Sequence, residues 1–149
     1  IFLRDLAPQV APIAGAVPLI PAARGAGLRT AIVSNAPRAN AETMLTAAGV
    51  AGLMDTVVLA EDVARGKPFP DPYLAALGRF GITAGRAIAF EDSPAGIAAS
   101  RAAGIFTVAL TTSLPAGRLT EAGADATITD FTDPALPGLL SRLTGAATP

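Results

Sequence analysis

The run Ala87-Ile88-Ala89-Phe90 passes straight into Glu91-Asp92, so an apolar stretch ends on two adjacent carboxylates before Ser93-Pro94 opens what reads as a helix. Asp92 or Ser93 could cap that helix, with Pro94 at its first position, and one such group is enough for the task. Two carboxylates at the end of a buried strand repel one another and call for a compensating cation. Earlier in the chain, Lys67 follows Gly66 and precedes Pro68, Pro70 and Pro72. The ordinary reading is a solvated lysine on a loop stiffened for the next helix. The alternative is an ammonium held on a rigid platform to meet an anion, which reduces the entropy lost on ordering it. Ser34 and Asn35 follow the apolar run Thr30-Ala31-Ile32-Val33. They suit a helix N-cap, and they equally suit a cradle in which a hydroxyl and free backbone N–H groups receive an anion such as phosphate.

The chain has neither His nor Cys, which removes imidazole bases, thiolate nucleophiles and His-ligated zinc. Oxygen ligands then dominate, and a Glu91–Asp92 pair favours Mg²⁺ over zinc or copper. A hydroxyl, an ammonium and a metal-holding carboxylate pair make a phosphoryl-transfer environment that still lacks a nucleophile and a general acid–base. Ser34 as nucleophile with Lys67 as base is a poor alternative, because no nucleophile-elbow motif surrounds the serine.

These residues need a scaffold that brings them together. Short apolar runs alternate with helical patterns, which predicts βα units around a mainly parallel sheet, an α/β three-layer sandwich of Rossmann-like type. Strands are expected over 29–33, 56–60, 86–90, 106–110 and 126–129, and helices over 14–25, 38–48, 72–80, 94–103, 115–122 and 134–143. Gly27, Gly49, Gly81, Gly104 and Gly123 each follow a helical stretch, where a left-handed residue is wanted. Pro21 falls inside the first helix and should kink it or weaken it by about 3 kcal/mol. In an open sheet of this type ligands bind beyond the carboxyl ends of the strands, which is where Ser34 and Glu91-Asp92 fall.

With 149 residues, 51% of them hydrophobic, and a net charge of −1, the chain suits a single folded domain. Its 11 basic residues are scattered singly, so no nucleic-acid partner is expected. No apolar run reaches the roughly 18 residues that cross a membrane, and no signal-peptide pattern is visible, so the expected location is cytoplasmic. The chain opens on Ile1 rather than Met, which suggests a piece of a longer protein.

Three ordered motifs carry a family resemblance. They are Ile32-Val33-Ser34-Asn35, then Gly66-Lys67-Pro68-Phe69-Pro70-Asp71-Pro72-Tyr73, then Phe90-Glu91-Asp92-Ser93-Pro94-Ala95-Gly96-Ile97. In this order and spacing the chain resembles the haloacid dehalogenase superfamily over residues 12–143. The branch it resembles contains β-phosphoglucomutase-like and phosphoglycolate phosphatase-like members. The resemblance implies that Ser34 and the Asn35 backbone bind the transferring phosphoryl group and that Lys67 neutralises it and holds the nucleophile. It assigns Glu91 and Asp92 to Mg²⁺, Asp92 more directly, and implies a small phosphorylated metabolite as substrate. The Glu-Asp pair favours the phosphatases over the metal-free dehalogenases.

The family's first motif, a strand ending in Asp-x-Asp-Gly-Thr, has no counterpart here. That motif would bring the nucleophilic and acid–base aspartates of an aspartyl-phosphate mechanism. Its strand would lie centrally, between those carrying Ser34 and Asp92. Residues 1–11 are read as the tail of a helical cap and 12–149 as an incomplete core. A missing central strand would bare two sheet edges and leave self-association open. The expectation is therefore a Mg²⁺-dependent phosphoric-ester hydrolase present as an incomplete chain. A phosphomutase and a non-catalytic phosphate- or partner-binding remnant are the alternatives.

Overall fold

The computed structural model describes residues 13–144 of the chain. The helical tail expected at 1–11 lies outside them. Five strands alternate with six helices: α1 (Ala16–Gly25), β1 (Ala31–Val33), α2 (Arg38–Ala47), β2 (Thr56–Val58), α3 (Asp71–Phe80), β3 (Ile88–Glu91), α4 (Pro94–Ala102), β4 (Phe106–Leu110), α5 (Ala116–Glu121), β5 (Ala126–Ile128) and α6 (Leu136–Thr144). Every strand pairing is parallel, β1 with β2, and β4 between β3 and β5.

The strands distribute their side chains by parity. On β4, Val108 and Leu110 join Ala16, Ile128, Phe131 and Leu136 in one cluster, so this face is covered by α1 and α6. Ala109 points the other way, against Ile97 of α4 and Leu119 of α5. β3 follows the same rule. Ile88 and Phe90 pack on the α1/α6 side, while Ala89 packs with Tyr73 and Leu77 of α3 and Ala99 of α4. Glu91 has the parity of Ala89, which sends its carboxylate toward α3 and α4. Ile32 on β1 packs with Ile20 of α1 and Leu45 of α2, placing α2 in the α1 layer. The result is the three-layer α/β sandwich expected from the sequence.

An aspartate precedes each of β2 and β5 and clasps the neighbouring strand. Asp55 N–H donates to the Thr30 carbonyl at 2.9 Å, and its carboxylate accepts the Thr30 N–H at 2.8 Å. Asp125 repeats both bonds on Thr107, each at 2.8 Å. Each clasp fixes parallel register, which matters because a one-residue slip would turn the core face outward.

Several details depart from the expected elements, among them β2 ending at Val58 rather than 60 and β3 beginning at Ile88 rather than 86. β1 begins at Ala31 rather than 29, because Thr30 gives its N–H to a side chain instead of a ladder partner. α1 begins at Ala16 because Gly15 is left-handed, with φ 80°, and lies against Phe131, where a Cβ would come within 2.8 Å of the backbone. Pro21 is accommodated inside α1 on the solvent side, while Ala16 and Ile20 carry the buried stripe. Water can reach the exposed turn that Pro21 leaves without a donor. All five glycines expected to end helices have positive φ.

Among the described residues the strands form two separate sheets rather than one, and β1 is not bonded to β3. Between these two edges runs a cleft of about 300 Å³ lined by apolar residues such as Ala31, Val33, Ile88 and Phe90. Lys67, Tyr73 and Glu91 also border it. Among the described residues, β1 and β3 each have no strand partner on the side facing this cleft, and they are the strands that lead to Ser34 and to Asp92.

Candidate active site

Each of the three loops leaves its scaffold by a different local device. Ser93 Oγ accepts the Gly96 N–H at 3.1 Å and is the N-cap of α4, with Pro94 opening the helix. Asp92 is therefore not needed as the cap, which settles that alternative. Ser34 continues the β1 ladder, donating its N–H to the Val58 carbonyl at 3.0 Å. Its hydroxyl accepts the Ala36 N–H at 3.1 Å in a tight turn, so Ser34 does not cap α2 either. That cap comes from far along the chain: both oxygens of Glu61 accept the Arg38 N–H, at 3.0 and 3.1 Å. Among the described residues the Ser34 hydroxyl has no acceptor, which leaves its proton available to donate.

The lysine loop is held against the serine loop by a two-way clamp. Lys67 N–H donates to Asn35 Oδ1 at 2.8 Å, and Asn35 Nδ2 donates to the Lys67 carbonyl at 3.2 Å. Gly66 permits this approach, since a Cβ there would lie 2.6 Å from Asn35 Oδ1. At the other end of the loop Arg65 pairs with Asp71 at 3.0 Å, just where α3 begins.

Lys67 does not lie in solvent. Its side chain is only 7% exposed, and its ammonium donates to the Val33 carbonyl at 2.9 Å and to Glu91 Oε1. One cation thereby joins the end of β1 to the end of β3. Tyr73, in the first turn of α3, donates its hydroxyl to the same Glu91 oxygen, and its ring centroid lies 5.4 Å from the ammonium. Burial first, and then the charge of Glu91, raise the Tyr73 phenol well above its ordinary value of 10.0, so it stays a donor. The other side of Glu91 rests on α4, where a Cβ at Gly96 would overlap Oε2 at 1.9 Å.

Glu91 and Asp92 are both buried. Among the described residues, Glu91 Oε2 and Asp92 Oδ1 have no hydrogen-bond partner, while Asp92 Oδ2 accepts the Ser113 hydroxyl at 3.3 Å. Burial, followed by the charge of Glu91, raises the Asp92 carboxyl above its ordinary 3.8. Buried acceptors without donors are costly, and two anionic ones side by side fit a divalent cation. The fit is partial. Glu91 has one oxygen left, because Lys67 and Tyr73 hold the other. Among the described residues no group of three or more acidic side chains is placed to hold a metal ion. The pair would supply two of the roughly six oxygens around Mg²⁺.

The sequence-predicted residues thus fall into one linked group. Asn35 touches Lys67, Lys67 touches Glu91, and Ser34 and Asp92 are their immediate chain neighbours. Sequence reasoning missed the side-chain role of Asn35 and the Ser113 contact, and it gave Tyr73 no role. The signal for Tyr73 was its place as the chain's single tyrosine at the end of the lysine motif.

The family model for Haloacid dehalogenase-like hydrolase matches residues 3–110. The chain belongs to this family. One relative, validoxylamine A 7′-phosphate phosphatase of Streptomyces hygroscopicus subsp. limoneus, is 39% identical over 126 residues, covering 85% of this chain and 58% of its own length. Phosphoglycolate phosphatase of Rhodospirillum rubrum is 32% identical over 136 residues, covering 87% of this chain and 56% of its own length. Among solved structures, a haloacid dehalogenase family hydrolase from Deinococcus radiodurans R1 with bound phosphate and sodium superposes with a TM-score of 0.79 at 33% identity. That match covers 94% of this chain and 63% of the other. The chain spans somewhat more than half the length of these relatives. No helix among the described residues is long and apolar enough to cross a membrane.

Proposed function

We propose that the chain carries the phosphate-binding, charge-neutralising and metal-holding side of a Mg²⁺-dependent phosphoric-ester hydrolase acting on a small phosphorylated metabolite. The observation that carries this reading is the Lys67 ammonium, buried yet bonded at once to Val33 at the end of β1 and Glu91 at the end of β3. A lysine placed there for stability alone would be an expensive choice, because burying an ion pair seldom improves on apolar packing. In the proposed site the Ser34 hydroxyl and the Asn35 backbone N–H receive phosphoryl oxygens. Lys67 offers its remaining N–H to the same anion. Asp92 Oδ1 and Glu91 Oε2 would hold Mg²⁺, which when bound supplies positive charge to the phosphoryl oxygens.

The substrate class is supported by two relatives whose names each specify a phosphatase. The attacking carboxylate of the family's mechanism is assigned to none of the chain's residues, because no Asp-x-Asp occurs in its sequence. The test is Mg²⁺-dependent binding of orthophosphate by this chain, together with hydrolysis of an aryl phosphate, beside an Asp92→Asn variant. Phosphate binding that needs Mg²⁺ and is lost in Asp92→Asn is expected, with no turnover above the variant. Phosphate binding indifferent to both would overturn the site. Turnover abolished by Asp92→Asn would instead show that the attacking group lies within these residues.

A further inference from the structure

We infer that Tyr73 is a positioning residue of this site, its hydroxyl orienting the Glu91 carboxylate so that one oxygen holds Lys67 and the other stays free for a cation. The inference rests on the reading of the site given above and adds a residue to it. Tyr73 sits in the cluster of Leu77, Ala89, Ala99, Ala103 and Ile105, which a phenylalanine would fill equally well. The hydroxyl is therefore surplus to packing, and a buried O–H against a carboxylate needs a separate reason.

The geometry supplies one. Glu91 is approached from three directions: by Tyr73 Oη and Lys67 Nζ on Oε1, and by the backbone of Gly96 beneath Oε2. Two donors converging on one oxygen fix the plane of the carboxylate, where one ammonium on a flexible stem would not. Among the described residues Oε2 is thereby kept without a partner. Tyr73 and Lys67 also share one rigid segment. The Arg65–Asp71 pair closes the lysine loop onto the first turn of α3, and the Pro70 carbonyl accepts the Leu74 N–H at 2.9 Å in that turn. The phenol and the ammonium therefore approach β3 as a unit. Without the hydroxyl, Glu91 could turn about its terminal torsion, and Lys67 would follow the charge away from the serine loop.

The experiment compares the full chain with Tyr73→Phe, Lys67→Met and Leu77→Ala, using orthophosphate with Mg²⁺ as the probe. A second readout is the ¹H–¹⁵N signal of the Lys67 ammonium. Tyr73→Phe should weaken phosphate binding about tenfold, the scale of a hydrogen bond to a charged group. It should also shift or broaden the Lys67 signal. Leu77→Ala loosens the same cluster and should leave affinity within about twofold. If Lys67→Met loses phosphate but Tyr73→Phe binds as the parent does, the positioning role fails while the site stands. If Leu77→Ala weakens binding as much as Tyr73→Phe, the effect is general softening and the inference fails. If Lys67→Met leaves phosphate binding intact, the phosphate reading fails, and the Lys67 signal alone decides whether Tyr73 positions the pair. An unchanged signal in Tyr73→Phe then overturns it.

Discussion

Lys67→Met is expected to lower stability by about 3 kcal/mol, the scale of breaking a buried pair by removing one partner. For a chain of this size that is a fall of roughly 10 °C in melting temperature. Methionine fills most of the volume, so the loss comes from charge rather than from a cavity. Glu91, with only 2% of its side chain exposed, would keep a single donor, the Tyr73 hydroxyl. The Val33 carbonyl would also lose its donor at the open edge of β1. A double variant, Lys67→Met with Glu91→Gln, should recover more than half of the loss, because the uncompensated charge is gone. Urea denaturation of the parent, both single variants and the double variant closes the cycle. Equal stability of Lys67→Met and the parent would mean that this ion pair contributes nothing to the fold.

Asp92→Asn should act in the opposite direction. The folded protein raises the Asp92 carboxyl above 3.8, through burial first and Glu91 second, so folding disfavours the ionised form. A raised carboxyl contributes stability below its unfolded value and loses it as pH rises through the folded value. At neutral pH, with no metal, Asp92 is therefore a burden, and Asn should stabilise the chain. The gain should vanish below pH 3.8, where both forms of the parent are protonated. Asp55, Asp62 and Asp133 have the reverse sign. Backbone N–H donors from Thr30, Leu59 and Ala135 are the leading causes that hold them below 3.8, so their contributions disappear in acid. Comparing variant with parent at each pH cancels that background. Mg²⁺ should raise the melting temperature of the parent at neutral pH and leave Asp92→Asn unmoved. A variant less stable than the metal-free parent at neutral pH would contradict the account of the paired acids.

The scaffold was legible because its signals are local. Near-continuous apolar runs marked the strands, and glycines at 27, 49, 81, 104 and 123 marked helix ends that all proved left-handed. Boundaries shifted where a side chain took over a backbone bond, as Asp55 did at Thr30. The site was legible as a list of residues but not as an arrangement. Ser93 or Asp92 as the cap of α4 could not be decided until the Gly96 N–H was seen to choose Ser93. The cap of α2 came from Glu61, a partner that no local pattern ties to Arg38. Glu91 read as a metal ligand from its adjacency to Asp92. Its parity on β3 instead also turns it toward Lys67 and Tyr73, a tertiary fact that spacing alone does not carry.

The cleft between β1 and β3 gives β1 two kinds of amide. In a parallel ladder alternate residues point to opposite neighbours. Ser34 bonds to β2, so Ile32 shares that side, while Ala31 and Val33 face the cleft. Protons on the β2 side are shielded by a ladder, and those on the cleft side have no strand among the described residues to shield them. Hydrogen–deuterium exchange along Ala31, Ile32, Val33 and Ser34 should therefore alternate fast and slow. Any strand that came to lie in the cleft would erase the alternation, making these few amides a native gauge of whether the sheet is open or closed.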